Sequence, residues 1–335
     1  MAPKIFATGV SGYIGGAALD AIVSAHPDYE ITALVRDPKK ATAITAKYPN
    51  VKTVDGNLDS GSIIEEESSK ADIVLHFADC DHVPSAKSIV AGLSKRTGTS
   101  YLIHTSGSAI LIDLTQTEKL GKVDSKVFDD IKDVAEITSF SEAEHPHRNV
   151  DKIVIEANSA TLKVAIVCPP TIYGEGAGTG NTRSNQVPNI TSQILTRKGG
   201  FQLADGTAIW SNVHVRDLAN LYLLLTEDAV AGGKKASWGP EGYYLAENGQ
   251  HAWGKLAATI ATKAKALGYL KSDAVDTLSN EEILKMHPWG PVLWGSNSRS
   301  VASRARKELG WTPTSPSLDE TLDFVIKQEA KKLGL

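Results

Sequence analysis

The stretch HPHRNVDKIVIEAN, residues 145–158, gathers several groups able to move a proton or hold an anion. Arg148 and Lys152 stand four residues apart, so on a helix both project from one face. An arginine keeps its proton in proteins and is no general acid at neutral pH. It can clamp a carboxylate or stabilise a developing oxyanion through paired N–H groups. As a histidine, His147 is expected to titrate near neutrality and is the residue here suited to carry a proton, although a histidine at a helix start is commonly just solvated or capping. Tyr173 and His214 are further candidates, each also readable as packing or local hydrogen bonding. His145, His147 and Asp151 match no recognised metal-ligand spacing, so no metal is expected. The chain has no nucleophile elbow or Ser-His-Asp arrangement.

A second chemistry-bearing stretch is TGVSGYIGG, where Gly9, Gly12 and Gly15 are spaced as G-x-x-G-x-x-G. Gly9 permits a tight turn, Gly12 lets a pyrophosphate approach the backbone, and Gly15 allows close helix–strand packing. Phosphates then meet the free N–H groups of a helix start, alongside Ser11, Tyr13 and Ile14. About twenty residues on, the second strand ends in LVRDPKKA. An acid there would bind a ribose 2′-hydroxyl, whereas an arginine accommodates a 2′-phosphate. Arg36, with Lys39 and Lys40 behind it, favours NADP over NAD; Asp37 is what a turn before Pro38 would hold anyway.

These residues need a scaffold, and the chain supplies an alternating one. Apolar runs at 4–9, 30–36, 51–56, 71–78, 100–107 and 163–170 read as strands, with helical stretches such as 15–26 and 85–98 between them. Strands apolar throughout and alternating with helices predict a doubly wound α/β domain, its parallel sheet covered on both faces. Residues 174–212 are rich in Gly, Asn, Thr and Gln, as befits an irregular segment over a cleft. Residues 213–227 return to helical periodicity, 242–248 read as one more strand, and 253–268, 279–287 and 318–334 read as helices. The expected organisation is a Rossmann domain from 1–174 and 213–250, with a smaller, mostly helical substrate-binding lobe from 175–212 and 251–335.

Charge excludes some partners. With 35 basic and 39 acidic residues the net charge is -4, which gives no electrostatic reason to bind nucleic acid or a membrane surface. Two cysteines, Cys80 and Cys168, cannot make a disulfide framework and read as reduced thiols of a cytoplasmic protein. No apolar run approaches a membrane span, and the start, straight into KIFATG, does not read as a signal peptide.

The ordered series TGVSGYIGG, LVRDP, DGNLD (55–59), DIVLHFAD (72–79), HTSGSA (104–109), CPPTIYG (168–174), VHVRDLA (213–219) and ARKELGWTP (305–313) resembles the short-chain dehydrogenase/reductase superfamily. The likeness is to its extended or atypical branch, epimerase/dihydroflavonol-reductase-like and NmrA-like, over nearly the whole chain. It implies that Asn57 and Leu58 border the adenine, that Phe77 and Ala78 line the cofactor path, and that Pro169 and Pro170 approach the nicotinamide. It also implies a catalytic Ser, Tyr and Lys, the last two at Y-x-x-x-K. Here RNVDK keeps Lys152, which would hold the nicotinamide ribose, and places Arg148 at the Tyr position. Thr105-Ser106-Gly107-Ser108 stands where the family has T-S-S, so Gly107 falls at the expected Ser, and Thr105, Ser106 or Ser108 would orient substrate.

Three readings are open for Arg148. It binds an anionic substrate while His147, Tyr173 or His214 moves the proton; or it pairs with cofactor phosphates or an acid in a protein that binds NADP(H) without turnover; or the helix register differs and it faces solvent. The first gives an NADP(H)-dependent oxidoreductase acting on a small carbonyl or hydroxyl compound. The second gives a redox-sensing regulatory protein, and an isomerase or lyase using bound cofactor is the remaining class. A monomer or homodimer is expected.

Overall fold

The computed structural model describes residues 2–335. Seven strands make the central sheet: β1 (Lys4–Thr8), β2 (Glu30–Val35), β3 (Val51–Asp55), β4 (Ile73–His76), β5 (Ser100–Thr105), β6 (Leu162–Cys168) and β7 (Tyr243–Leu245). They lie in the order β7-β6-β5-β4-β1-β2-β3, and every pairing is parallel. The order reverses at β1, where the crevice of a doubly wound sheet opens.

Strand alternation explains why these runs are apolar throughout. Ile5, Ala7, Ile73, Leu75 and Ile103 face one core, while Phe6, Val74 and Leu102 face the other. The first core is closed by α1 (Tyr13–Ala25) through Leu19 and Ile22; α2 (Pro38–Lys47) adds Ile44 to it. The second is closed by α3 (Gly61–Lys70), α4 (Val83–Leu93) and α5 (Arg148–Glu156), the last through Val150 and Val154.

A separate apolar cluster forms over the carboxyl ends of the strands. It joins α6 (Gln186–Arg197), through Val187, Ile190 and Ile194, to α8 (Trp253–Ala266) and α9 (Leu318–Lys332). Between them in the chain, α7 (Val215–Val230) returns to the sheet, placing Leu218, Leu221 and Leu225 on the first core. It is preceded by a strand, Ile209–His214, where helical periodicity alone was expected from 213.

One segment departs from the expected partition. Ser300–Val301 pairs with Phe128–Asp129, and Ala302, Ala305 and Trp311 pack into the first core of the sheet. Buried Asp130 fixes this return, accepting from Arg304 N at 2.8 Å and Leu245 N at 3.0 Å. Among the described residues no helix is long and apolar enough to cross a membrane.

Candidate functional site

The carboxyl ends of β1, β4, β5 and β6 open on a cleft of about 560 Å³, walled by Tyr13, Ile14, Phe77, Ser106, Pro169 and Pro170, by Asn181 and by residues 183–186. At its floor, Gly9 has a positive φ of 75°, and a Cβ there would lie 2.5 Å from Ala78 N. A Cβ on Gly15 would meet Gly9 O at 2.5 Å and Phe77 Cβ at 2.9 Å. Only glycine fits either place. Gly12 is the N-cap of α1, with no side chain on the helix's free N–H groups. This bare, positively polarised turn fits a dinucleotide pyrophosphate. A strap from 174 to 182 lies on it: Tyr13 donates its hydroxyl to Gly174 O at 2.6 Å, and Asn181 N donates to Ser11 O at 3.0 Å.

At the end of β2, Arg36 and Lys39 are exposed. Asp37 is the N-cap of α2 and accepts from Lys39 N at 2.9 Å, so the helix already uses its carboxylate. Asn57 is exposed, its side chain accepting from Asp59 N at 2.8 Å, and Leu58 is half-buried beside it. Phe77 is buried edge-on against Tyr222, next to the half-buried Ala78.

The structure corrects the expectations for the proton-transfer end. Lys152 is exposed and pairs with Glu142 at 2.9 Å, and Arg148 is buried with Nε donating to Phe140 O at 3.2 Å and Nη2 to Thr138 O. Neither reaches the cleft. The register is shifted because α5 begins at Arg148 and His147 precedes it in the left-handed region, φ 67°. The pair four residues apart that faces the sheet is therefore His147 and Asp151. Three other candidates are engaged elsewhere. Thr105 Oγ1 bonds Tyr222 OH at 2.7 Å, Ser108 Oγ accepts from Ser298 Oγ at 2.8 Å, and Tyr173 donates to Pro316 O at 3.0 Å with its ring in the second cluster. His214 caps α7 through Arg216 N. Ser106 alone of the expected hydroxyls lines the cleft.

His147 also explains the missing serine. A Cβ on Gly107 would lie 3.0 Å from His147 Nε2, so a side chain there would crowd the ring. The other ring nitrogen, Nδ1, lies 2.9 Å from Asp81 Oδ1 and 3.3 Å from Cys80 Sγ. Burial disfavours a charged ring, but the Asp81 and Cys80 hydrogen bonds outweigh it, and the His147 pKa is pushed up to about 10. Burial raises the Cys80 thiol as well, so at neutral pH it is uncharged and the Asp81 carboxylate is the anion that holds the proton. Nε2 has no hydrogen-bond partner among the described residues and is left for a ligand. Cys80, Asp81 and His147 also bring three donor atoms within 4.8 Å of one another, a set the sequence reading did not assemble.

Beneath Ser106, Asp151 is fully buried without a cation. Its Oδ2 accepts from Ser106 Oγ at 2.8 Å and from Tyr243 OH, and His104 Nε2 lies 3.5 Å from Oδ1. Cys80, Asp81 and Asp151 were missed as site residues. Asp151 carried a signal: it lies with Val150 and Val154 on the helix's buried stripe, where a carboxylate costs free energy unless it is used.

Residues 5–239 match the model of the NAD dependent epimerase/dehydratase family. The oxidase ucsJ of an Acremonium species is 36% identical over 349 aligned positions, covering 100% of both chains. Among solved structures, the dTDP-glucose 4,6-dehydratase of Bacillus anthracis in complex with NAD superposes with a TM-score of 0.69 at 15% identity, covering 98% of this chain and 97% of that one. The yeast methylglyoxal/isovaleraldehyde reductase Gre2 with NADPH gives a TM-score of 0.68 at 16% identity, covering 99% of each. The two structures establish the fold alone; the matched family model and the full-length relative establish the kinship. With its glycine turn, parallel sheet and cleft in place, the chain belongs to the NAD-dependent epimerase/dehydratase family of nicotinamide-cofactor-binding oxidoreductases, within the extended short-chain dehydrogenase/reductase superfamily.

Proposed function

We propose that this protein is an NADP(H)-dependent oxidoreductase of atypical type, acting on a small carbonyl or hydroxyl compound with His147 as its proton carrier. The observation that carries the reading is His147 itself, anchored on Asp81 through Nδ1 with Nε2 presented at Gly107. Gly9, Gly12 and Gly15, with Ser11, Tyr13 and Ile14, hold the pyrophosphate at the start of α1. Arg36 and Lys39 meet the 2′-phosphate, since Asp37 is spent on its helix. Phe77, Ala78, Pro169 and Pro170 border the nicotinamide path, and Asn57 and Leu58 the adenine. The bound cofactor supplies or accepts a hydride at the substrate carbon. In reduction the protonated His147 gives its Nε2 proton to the carbonyl oxygen as negative charge develops there, and Asp81 holds the ring in place. In oxidation the ring must first lose its proton, which its raised pKa defers to alkaline pH, before Nε2 takes the proton of the substrate hydroxyl. Ser106 positions the substrate. Two unpaired cysteines suit a reducing compartment, the cytoplasm.

Calorimetric titration with NADPH and NADH tests the cofactor. Arg36→Ser is expected to weaken NADPH about tenfold, the size of one charge-assisted hydrogen bond, and to leave NADH unchanged. Equal losses for both would remove the case for NADP. NADPH oxidation over a panel of aldehydes and ketones tests the chemistry. Tight binding with no turnover anywhere would favour the non-catalytic, redox-sensing reading.

A further inference from the structure

We infer that the cleft selects neutral carbonyl compounds bearing a hydroxyl beside the reacting carbonyl, and that Asp151 imposes this choice through Ser106; the inference rests on the oxidoreductase reading above. Asp151 accepts from both of its neighbours through one oxygen. Ser106 Oγ reaches its Oδ2 at 2.8 Å, and Tyr243 OH reaches the same oxygen. Tyr243 is fully buried and its phenol is held well above its ordinary range, first by burial and then by the Asp151 charge, so it stays a donor. A serine hydroxyl has one proton, and here that proton points inward. Ser106 therefore turns only lone pairs to the cleft. Its backbone N–H is given to Val167 O at 2.8 Å, and the neighbouring Pro169 and Pro170 have no N–H to offer.

A nearly buried acceptor without a donor carries a penalty, so Ser106 asks for a donor from the substrate. The protonated Nε2 of His147 serves the carbonyl oxygen, and Ser106 receives the O–H next to it. A plain ketone satisfies His147 and leaves Ser106 unpaired. Charge narrows the class further. Apart from the His147 imidazolium, whose Nε2 proton is committed to the carbonyl oxygen, Arg183 is the one charged side chain among the described residues of the cleft, and its guanidinium is taken up. Nε and Nη2 meet the Glu329 carboxylate at 2.8 and 3.0 Å, Nη2 also meets Asn189 Oδ1 at 2.8 Å, and Nη1 meets Ser184 O at 3.3 Å. Little of it remains to clamp an anionic substrate.

The test uses the full chain with NADPH and two matched pairs: acetoin against butanone, and 2-hydroxyacetophenone against acetophenone. The readout is the ratio of kcat/KM within each pair. The native chain is expected to favour the hydroxylated member by roughly tenfold or more, the scale of leaving one buried polar group unpaired. Ser106→Ala should bring the ratio close to one, mainly by losing the hydroxylated substrate. In Asp151→Asn the carboxamide can donate to Ser106, which frees the serine proton for the cleft, so the ratio should move toward the plain ketone. Thermal melts report whether each variant is folded, and Ser106→Ala carries the test if Asp151→Asn is not. A native ratio near one, or a ratio unmoved in Ser106→Ala, overturns the inference while leaving the oxidoreductase reading intact. No turnover of any of the four, with NADPH bound, overturns that reading and this inference with it.

Discussion

Two helix starts meet at this cleft in different ways: α1 lines it through Tyr13 and Ile14, and α5 reaches its Gly107 edge through His147 Nε2. At the start of α1, residue types and geometry agree: a strand, a glycine turn and uncapped N–H groups, with Gly9 and Gly15 each required by a named neighbour. At the start of α5 the sheet-facing positions carry groups other than the pair the sequence singled out. A residue at the helix boundary and another four positions on still face the sheet, but they are His147 and Asp151. Phosphate binding depends on backbone, which tolerates no substitution for glycine at a positive φ. Proton transfer depends on side chains, which different groups can perform if their pKa values are set correctly.

The sharpest way to break this comparison is His147→Asn, chosen because asparagine tolerates the left-handed backbone. NADPH affinity should hold while kcat falls on the order of a hundredfold or more, the scale of a lost general acid. An unchanged kcat would remove His147 from the chemistry. Next in size, Gly9→Ala forces a methyl to within 2.5 Å of Ala78 N, and should cost about 1–3 kcal/mol of stability together with cofactor binding. Denaturant unfolding, repeated with NADPH present, would read both effects.

The effect of pH sharpens the contrast. The folded His147 pKa is raised to about 10, so the acid form persists through neutrality and reduction should weaken only as pH rises through that value. The associated stability is complete below the unfolded value of about 6.5 and is lost as pH rises through about 10. Asp81→Asn removes the anion, so the alkaline limb of the kcat profile should move down toward neutrality; a limb that stays put would sever Asp81 from the proton. The smallest effect expected is from Lys152→Ala. Lys152 is an exposed partner of Glu142, and neither kcat nor NADPH affinity should change.

Most of the sheet was legible because strands buried on both faces are largely apolar, and the expected runs coincide with β1 to β7, the half-exposed edge strand β3 included. The glycine turn was legible for a related reason, since its spacing is a backbone requirement. The α5 site was less so. A search for lysine four residues after an aromatic or basic group finds Arg148 and Lys152, and nothing local marks His147 as left-handed. Its partners Cys80 and Asp81 come from the end of β4, some 66 residues away. The stripe Val150, Asp151, Val154 was the available clue, because Lys152 falls outside it.

The backbone at His147 also limits how this chain can change. Tyrosine fits poorly at φ 67°, and the Asp81 contact and the space over Gly107 are shaped to an imidazole. Replacing His147 alone by tyrosine would therefore not install a working phenol at this place. The helix start, the glycine at 107 and the Asp81 partner are tied to one another through this one ring, so a change at any of them is felt at the other two.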